Sequence, residues 1–190
     1  MKLSILIPTI ESRKDQFWQL FTHINAQRKN GVEVIFESDN KEISIGAKRQ
    51  SLIEKAKGKY IVFIDDDDWV SDTYVEDILT AIASNPDAVG FEIECSGTPG
   101  KTASASNKWK DWQEKTGGYD YVRTPYQKTP IRRDIALKIG YKDMRFGEDY
   151  DYSKRLKQSG LIKTETYIPK VLYFYRYAYE NPKTKYGEQR

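Results

Sequence analysis

Residues 60–70, YIVFIDDDDWV, constrain this chain more than any other stretch. Tyr60 to Ile64 are apolar, and most are β-branched or aromatic. An extended segment of that kind wants burial on both faces, the pattern of a central parallel strand. Four carboxylates follow without a break, Asp65, Asp66, Asp67 and Asp68. Like charges in a row repel one another and need cations, hydrogen bonds or water around them. In open α/β sheets ligands collect beyond the carboxyl ends of the strands, where these carboxylates fall. Oxygen ligands suit Mg2+ or Mn2+, and Mg2+ is commonly held by one or two carboxylates plus substrate phosphates. A solvated acidic turn is the plain alternative. The apolar strand before the run and Trp69-Val70 after it favour a metal–phosphate site.

The chain on either side alternates in type. Residues 3–7 read as a first buried strand stopped by Pro8, with a loop to Ser12, which is placed to cap a helix. Phe17, Leu20, Phe21 and Ile24 have helical spacing, so a helix is expected over about 13–28, ended at Asn30-Gly31. Residues 32–36 form a second strand ending in Glu37-Ser38-Asp39-Asn40. Ile45, Leu52, Ile53 and Ala56 mark a second helix closed by Gly58. Val75, Ile78, Leu79 and Ile82 mark a third, broken at Asn85-Pro86, and residues 88–93 a fourth strand. This β-α-β-α-β-α-β order implies a three-layer α/β fold with a mostly parallel sheet and right-handed crossovers.

The pattern then changes. Residues 95–118 are rich in Ser, Thr, Gly and Lys, with Trp109 and Trp112 among them, and read as a long loop or lid able to cover a sugar. Between 101 and 133 eight basic residues stand against three acidic ones, fitting either a solvated surface or an acceptor or phosphate surface. Residues 126–132 read as extended and 134–139 as a short helix ended by Gly140. Another helix opens at Gly147-Glu148-Asp149, whose carboxylates suit a helix's first turn. Residues 161–168 and 171–177 read as late strands, and the tail as polar.

Charge and composition narrow the function. Lys and Arg number 31 against 28 Asp and Glu, a net charge of +3, too balanced to argue for nucleic acid. The single cysteine, Cys95, allows no internal disulfide and fits a reducing compartment. The single histidine, His23, leaves a zinc site or a Ser-His-Asp triad little to work with and is expected to be structural. The apolar start is too short for a signal peptide and no run reaches the length of a membrane span, so a soluble, cytoplasmic protein is expected.

Three segments, in order, resemble the family-2-type, GT-A-fold (Rossmann-like), nucleotide-sugar-dependent glycosyltransferases. SILIPT is similar to the family's opening strand and turn. GAKRQSLIEKAKGKYIVFIDDDDWV resembles its segment from a Gly and an Arg-polar pair to the Asp-x-Asp motif. TPIRRDIALKIGYKDMRFGEDYDYSKRL resembles its acceptor-side segment ending in Glu-Asp on a helix. The resemblance covers residues 3 to about 177. It implies one domain over 1–178, with a donor-binding half to about 94 and an acceptor-side half beyond it, and a polar tail over 179–190.

The resemblance also implies roles. Asp65 matches the Asp that contacts the donor ribose and Asp67 the one that binds Mn2+ or Mg2+ under the diphosphate. Asp66 joins the donor set. Asp68 and Glu148 are further candidates for the metal or for supporting its ligand. Pro8, Thr9, Glu11 and Asp39 match the loops that cradle the nucleoside, Arg49 the basic residue beside it, and Arg176 the late residue offered to the diphosphate. Asp149 matches the general base of an inverting transfer. The expected partners are a nucleoside-diphosphate sugar, a UDP-sugar being favoured, and most plainly a saccharide acceptor, with no nucleic acid. Glu37-Ser38-Asp39 departs from the family's two adjacent Asp residues, and Arg49-Gln50 from its Arg-Asn. The alternatives are a metal-dependent nucleotidyl- or phosphotransferase, against which the absence of GxxxxGK[ST] counts, and an inactive nucleotide-sugar-binding module.

Overall fold

The computed structural model describes residues 1–95, 101–110 and 113–176. In chain order it forms β1 (Leu3–Ile10), α1 (Lys14–Ala26), β2 (Val32–Asp39), α2 (Ile45–Lys55), β3 (Tyr60–Phe63), β4 (Trp69–Val70), α3 (Tyr74–Ile82) and β5 (Ala88–Cys95). There follow β6 (Lys101–Ala105), β7 (Gln113–Thr116), β8 (Tyr119–Arg123), β9 (Ile131–Arg132), α4 (Arg133–Ile139), α5 (Glu148–Ser159) and β10 (Glu165–Tyr175). Among the described residues no helix is long and apolar enough to cross a membrane.

The α/β alternation predicted over the first half stands. β1 lies between β2 and β3 and is parallel to both. Its side chains divide by parity. Leu3, Ile5 and Ile7 enter one core with Tyr60, Val62 and Ile64 of the β3 segment, against Phe17, Leu20 and Ile24 of α1 and Val75 and Ile78 of α3. Leu6 enters the other core with Ile61 and Phe63, against Leu52 and Ile53 of α2, Ile135 of α4 and Leu156 of α5. A sheet buried on both faces needs a helical layer on each, which gives the three layers. Each fully buried Leu, Ile or Phe contributes about 1.5–3 kcal/mol.

β1 does not stop at Pro8. The carbonyls of Lys2 and Leu6 accept from Tyr60 and Ile64, so even-numbered residues of β1 aim their backbone groups at β3. Pro8 lies past the end of that pairing, so its missing N–H costs no ladder bond, while β2 still pairs opposite it. Ser12 caps nothing; it sits in a short 3-10 turn, Glu11–Arg13, before α1.

The second half differs more from expectation. β5 does not pair with β3; the two-residue β9 runs antiparallel between them. β10 runs parallel along β5, and β9 and β6 take the other edge of β5 in succession. The stretch expected as a loop or lid is an extension of the sheet over its described residues: β6 pairs with β5 and with β8, and β8 with β7. Gly117 and Gly118, with φ of +61° and +86°, make the two-residue turn between β7 and β8. A Cβ on Gly117 would lie 2.6 Å from the Trp109 ring. Trp109 itself is engaged in this sheet, donating from Nε1 to Ser104 Oγ at 3.1 Å. Residues 96–100, and Trp112 with its neighbour Asp111, lie outside the described residues, as does the tail beyond 176. The stretch 126–132, expected as extended, is a turn closed by Thr129 N–H to Tyr126 O (2.9 Å), followed by β9. The two late strands are one, β10, with register breaks between Ile168 and Val171 and between Val171 and Tyr173. The parallel ladders of β1, β2, β3, β5 and β10 remain the body of the sheet.

Candidate active site at the carboxyl ends of the strands

The ends of β1, β2 and β3 meet at one edge and bring Thr9, Asp39 and the four aspartates together through cations and hydrogen bonds. Thr9 donates from Oγ1 to Asp66 Oδ2 at 2.7 Å. Lys48, buried on α2, donates from Nζ to the Thr9 carbonyl at 2.6 Å and to Asp39 Oδ1. Asp39 also accepts from the Ile43 amide at 2.7 Å. Burial would raise its pKa, but Lys48 and the Ile43 and Lys41 amides hold it below the usual carboxylate range. The first turn of α2 packs directly on the 142–144 segment because residue 46 is glycine: a Cβ there would lie 2.0 Å from the Lys142 carbonyl. Ser44 caps the helix through the Ala47 amide at 3.0 Å.

Each aspartate has a different environment. Asp65 accepts from Arg49 Nη2 at 2.7 Å, and Lys128 Nζ stands 3.4 Å from its other oxygen. Burial pushes its pKa up, but these two cations hold it well below the usual range. Asp66 is buried, with Thr9 on one oxygen and Arg13 Nη1 on the other at 2.8 Å. Asp67 is the open one, its side chain 40% exposed, with Arg13 Nη1 at 3.0 Å. Burial and the fields of Asp65, Asp68 and Asp66 push it up to about 6 against the pull of Arg13. Asp68 is closed: Lys128 Nζ and Tyr173 Oη donate to Oδ2 and the Arg176 amide to Oδ1 at 2.9 Å.

Arg49 links this edge to the start of α5. Its Nε contacts Glu148 Oε1 at 3.2 Å while Nη2 holds Asp65, and its guanidinium stacks on the Phe63 ring, 5.0 Å from the centroid. Burial alone would lower the Arg49 pKa, but Asp65 and Glu148 raise it. Among the described residues its buried Nη1 has no hydrogen-bond partner. Glu148 opens α5, and burial pushes its carboxyl up despite Arg49. Asp149, next in the chain, is 30% exposed and lies 3.3 Å from Arg123 Nη1. Neither is tied up as a helix cap; α5 starts at Gly147 with no side-chain cap bond.

The remaining expected residues stand further out. Pro8 is buried in β1. Glu11 is exposed and accepts from Ser38 Oγ at 2.7 Å. Glu37, in the Glu37-Ser38-Asp39 stretch that departs from the family's two adjacent Asp residues, is occupied by Ser51 and Lys55 at 2.8 and 2.9 Å. Arg176 reaches the cluster through its backbone; its guanidinium lies 4.7 Å from the Trp69 ring centroid. His23 is structural: it stacks on Trp69 at 4.4 Å, with Nε2 3.0 Å from the Val70 carbonyl. Among the described residues no group of three or more His, Cys, Asp or Glu side chains converges as a metal cage.

Sequence reasoning missed the cations. Arg13, Lys48, Lys128 and Arg123 are the partners of the aspartates, and nothing local singles them out. The one available signal was general: four adjacent carboxylates need counter-charges from somewhere.

Comparison with known proteins places the chain. The family model described as Glycosyl transferase family 2 matches residues 11–137. EpsH of Bacillus subtilis (strain 168), which bears a glycosyltransferase name, is 36% identical over 64 residues, covering 34% of this chain and 18% of EpsH. The crystal structure of S. aureus TarS 1–349 superposes with a TM-score of 0.68 at 15% identity, over 93% of this chain and 60% of that one. The structure of TarS 1–349 in complex with UDP-GlcNAc gives the same TM-score, over 59% of its length. This chain thus spans less than two thirds of these relatives, and the likeness to TarS is one of fold, the GT-A type of α/β architecture with a mostly parallel central sheet. With the matched segment running from the turn after β1 into α4, across both the aspartate run and the base of the sheet, the chain belongs to glycosyl transferase family 2.

Proposed function

We propose that this chain transfers a sugar from a nucleoside-diphosphate donor, a UDP-sugar being favoured, to an acceptor hydroxyl with inversion at the anomeric carbon and with help from Mn2+ or Mg2+. The observation that carries this is the division of labour among the carboxylates. Asp65 is held ionised by Arg49 and Lys128, which suits an acceptor of ribose hydroxyl hydrogen bonds. Asp67 is the exposed carboxylate of the run and is crowded by like charge, so a cation beside it relieves repulsion. A divalent ion completed by diphosphate oxygens needs only one or two protein carboxylates, so the lack of a preformed cage fits this chemistry. When bound, the ion stabilises the charge of the departing diphosphate.

Asp149 stands apart from the run, tied to it through Glu148, Arg49 and Asp65. Its partly exposed carboxylate accepts the acceptor hydroxyl's proton as that oxygen bonds to the anomeric carbon and the bond to the diphosphate breaks. One displacement of this kind inverts the configuration. Arg123 Nη1, 3.3 Å away, holds the Asp149 carboxylate in position. The existence of TarS complexes with UDP-GlcNAc and with UDP supports a uridine donor. A saccharide is the expected acceptor class.

The test is a donor screen. UDP-sugars and other nucleotide sugars are incubated with and without Mn2+ and a panel of saccharides, and released nucleoside diphosphate and product anomer are measured. Metal-dependent release with an inverted product is expected. Release of sugar 1-phosphate or of nucleoside monophosphate instead would favour nucleotidyl- or phosphosugar transfer and overturn the proposal.

A further inference from the structure

Lys128 is a buried lysine in the acidic cluster whose part in the reaction above is limited to its charge beside Asp65. It is delivered by the turn between β8 and β9, which is pinned to β3 by the Phe63 amide donating to the Gln127 carbonyl at 3.0 Å. Its side chain is 5% exposed. Nζ donates to Asp68 Oδ2 and stands 3.4 Å from Asp65 Oδ2. The rings of Tyr173 and Tyr175 cover it, with centroids 4.4 and 4.0 Å away. Burial alone would favour the neutral amine, but Asp68 and Asp65 reverse this and keep it charged.

We propose that Lys128 is a built-in counter-ion that occupies the place between Asp65 and Asp68 where a divalent ion would otherwise sit, and so confines the ion to Asp67. Every oxygen of the two flanking aspartates is already served. Arg49 takes Asp65 Oδ1, Lys128 faces Oδ2, and Asp68 is filled by Lys128, Tyr173 and the Arg176 amide. A divalent ion entering there must displace a cation that is walled in by tyrosine rings and tethered to a pinned turn. Expelling a buried charge from its partners is expensive. The ion is left with one open carboxylate, too few ligands to hold it firmly, so it waits for the diphosphate to supply the rest. Without Lys128 the same four aspartates would be a cation trap whether or not donor was present.

This rests on the reading of Asp67 as the metal carboxylate, and the experiment separates the two. Mn2+ binding, with no nucleotide, is measured by loss of the free-ion electron paramagnetic resonance signal. Wild type is compared with Lys128→Met, which keeps the packing against the rings. Lys128→Met is expected to bind Mn2+ alone roughly tenfold more tightly or better, because ligand charge sets affinity. Adding Asp68→Asn to it should abolish the gain. A folded Lys128→Met with wild-type Mn2+ affinity overturns the proposal. Should Lys128→Met not fold, single changes in the wild-type background decide. Mn2+ binding that falls in Asp67→Asn and is unmoved in Asp68→Asn supports confinement, and the reverse pattern overturns it. A failure of UDP to bind wild type with Mn2+ would count against the donor assignment and leave these metal-only results to judge Lys128.

Discussion

Replacing Asp149 with Asn separates chemistry from stability. The substitution removes the charge and keeps the shape. Little is lost from the fold. Asp149 makes no helix-cap bond, and its partner Arg123 is also held over the Tyr126 ring at 4.1 Å. Arg123 and Asp149 are 3.3 Å apart with side chains 14% and 30% exposed, and because Asn can still accept from Arg123, losing the charge costs about 1 kcal/mol. The expected drop in melting temperature is therefore no more than about 2–4 °C. The rate is another matter. Loss of a positioned base costs roughly 10²–10⁴-fold, which is about 2.7–5.4 kcal/mol of barrier. Donor and Mn2+ affinity should be unchanged, since the proposed base works on the acceptor hydroxyl rather than on the diphosphate. The assay is steady-state transfer with a donor and acceptor from the screen, beside calorimetric titration with UDP and Mn2+ and a thermal melt. A variant with full turnover would refute the base assignment. One that loses donor affinity and turnover in parallel would place Asp149 in donor binding instead.

Other perturbations test the remaining links. Asp67→Asn should abolish metal-dependent UDP binding in calorimetry while leaving the ligand-free melting temperature unchanged or higher, because it removes one of four crowded like charges. Gly46→Ala should destabilise by about 1–3 kcal/mol in urea unfolding and weaken donor binding, because the added methyl meets the Lys142 carbonyl and pushes out the helix carrying Lys48 and Arg49. Asp87 joins the start of β5 to the approach to β10, accepting from the Lys163 and Thr164 amides at 2.9 Å each. Burial opposes its charge, but those amides, the Thr164 hydroxyl and Arg132 hold its pKa below normal. With the folded value below the unfolded value of about 3.9, its contribution is complete above that pH and lost as pH falls through the folded value. Asp87→Ala should therefore lower stability at pH 7 and flatten the fall of stability below about pH 4, read from unfolding curves at each pH; a parallel fall in both proteins would contradict this.

The sequence alone determined the elements of the first half and the location of the acidic edge. Unbroken apolar runs specify which segments must be covered on both faces, and an aspartate run directly after such a strand can only emerge at its carboxyl end. Those demands are local, so Tyr60 to Ile64 and Leu3 to Ile7 declared themselves. The polar stretch after Cys95 hid its strands because Lys101–Ala105 and Gln113–Thr116 carry too little apolar alternation to announce a sheet. Its Gly117-Gly118 turn was the legible trace. What only the tertiary structure decided is which aspartate does what. Asp65 to Asp68 are chemically identical in sequence, and their differences come from Arg13, Arg49, Lys128 and Tyr173, up to 105 positions away along the chain. A carboxylate's charge state and openness depend on the field and solvent within a few ångströms. Those neighbours are set by how β10, the turn before β9 and α2 pack on the end of β3, and no local pattern in the chain encodes that meeting.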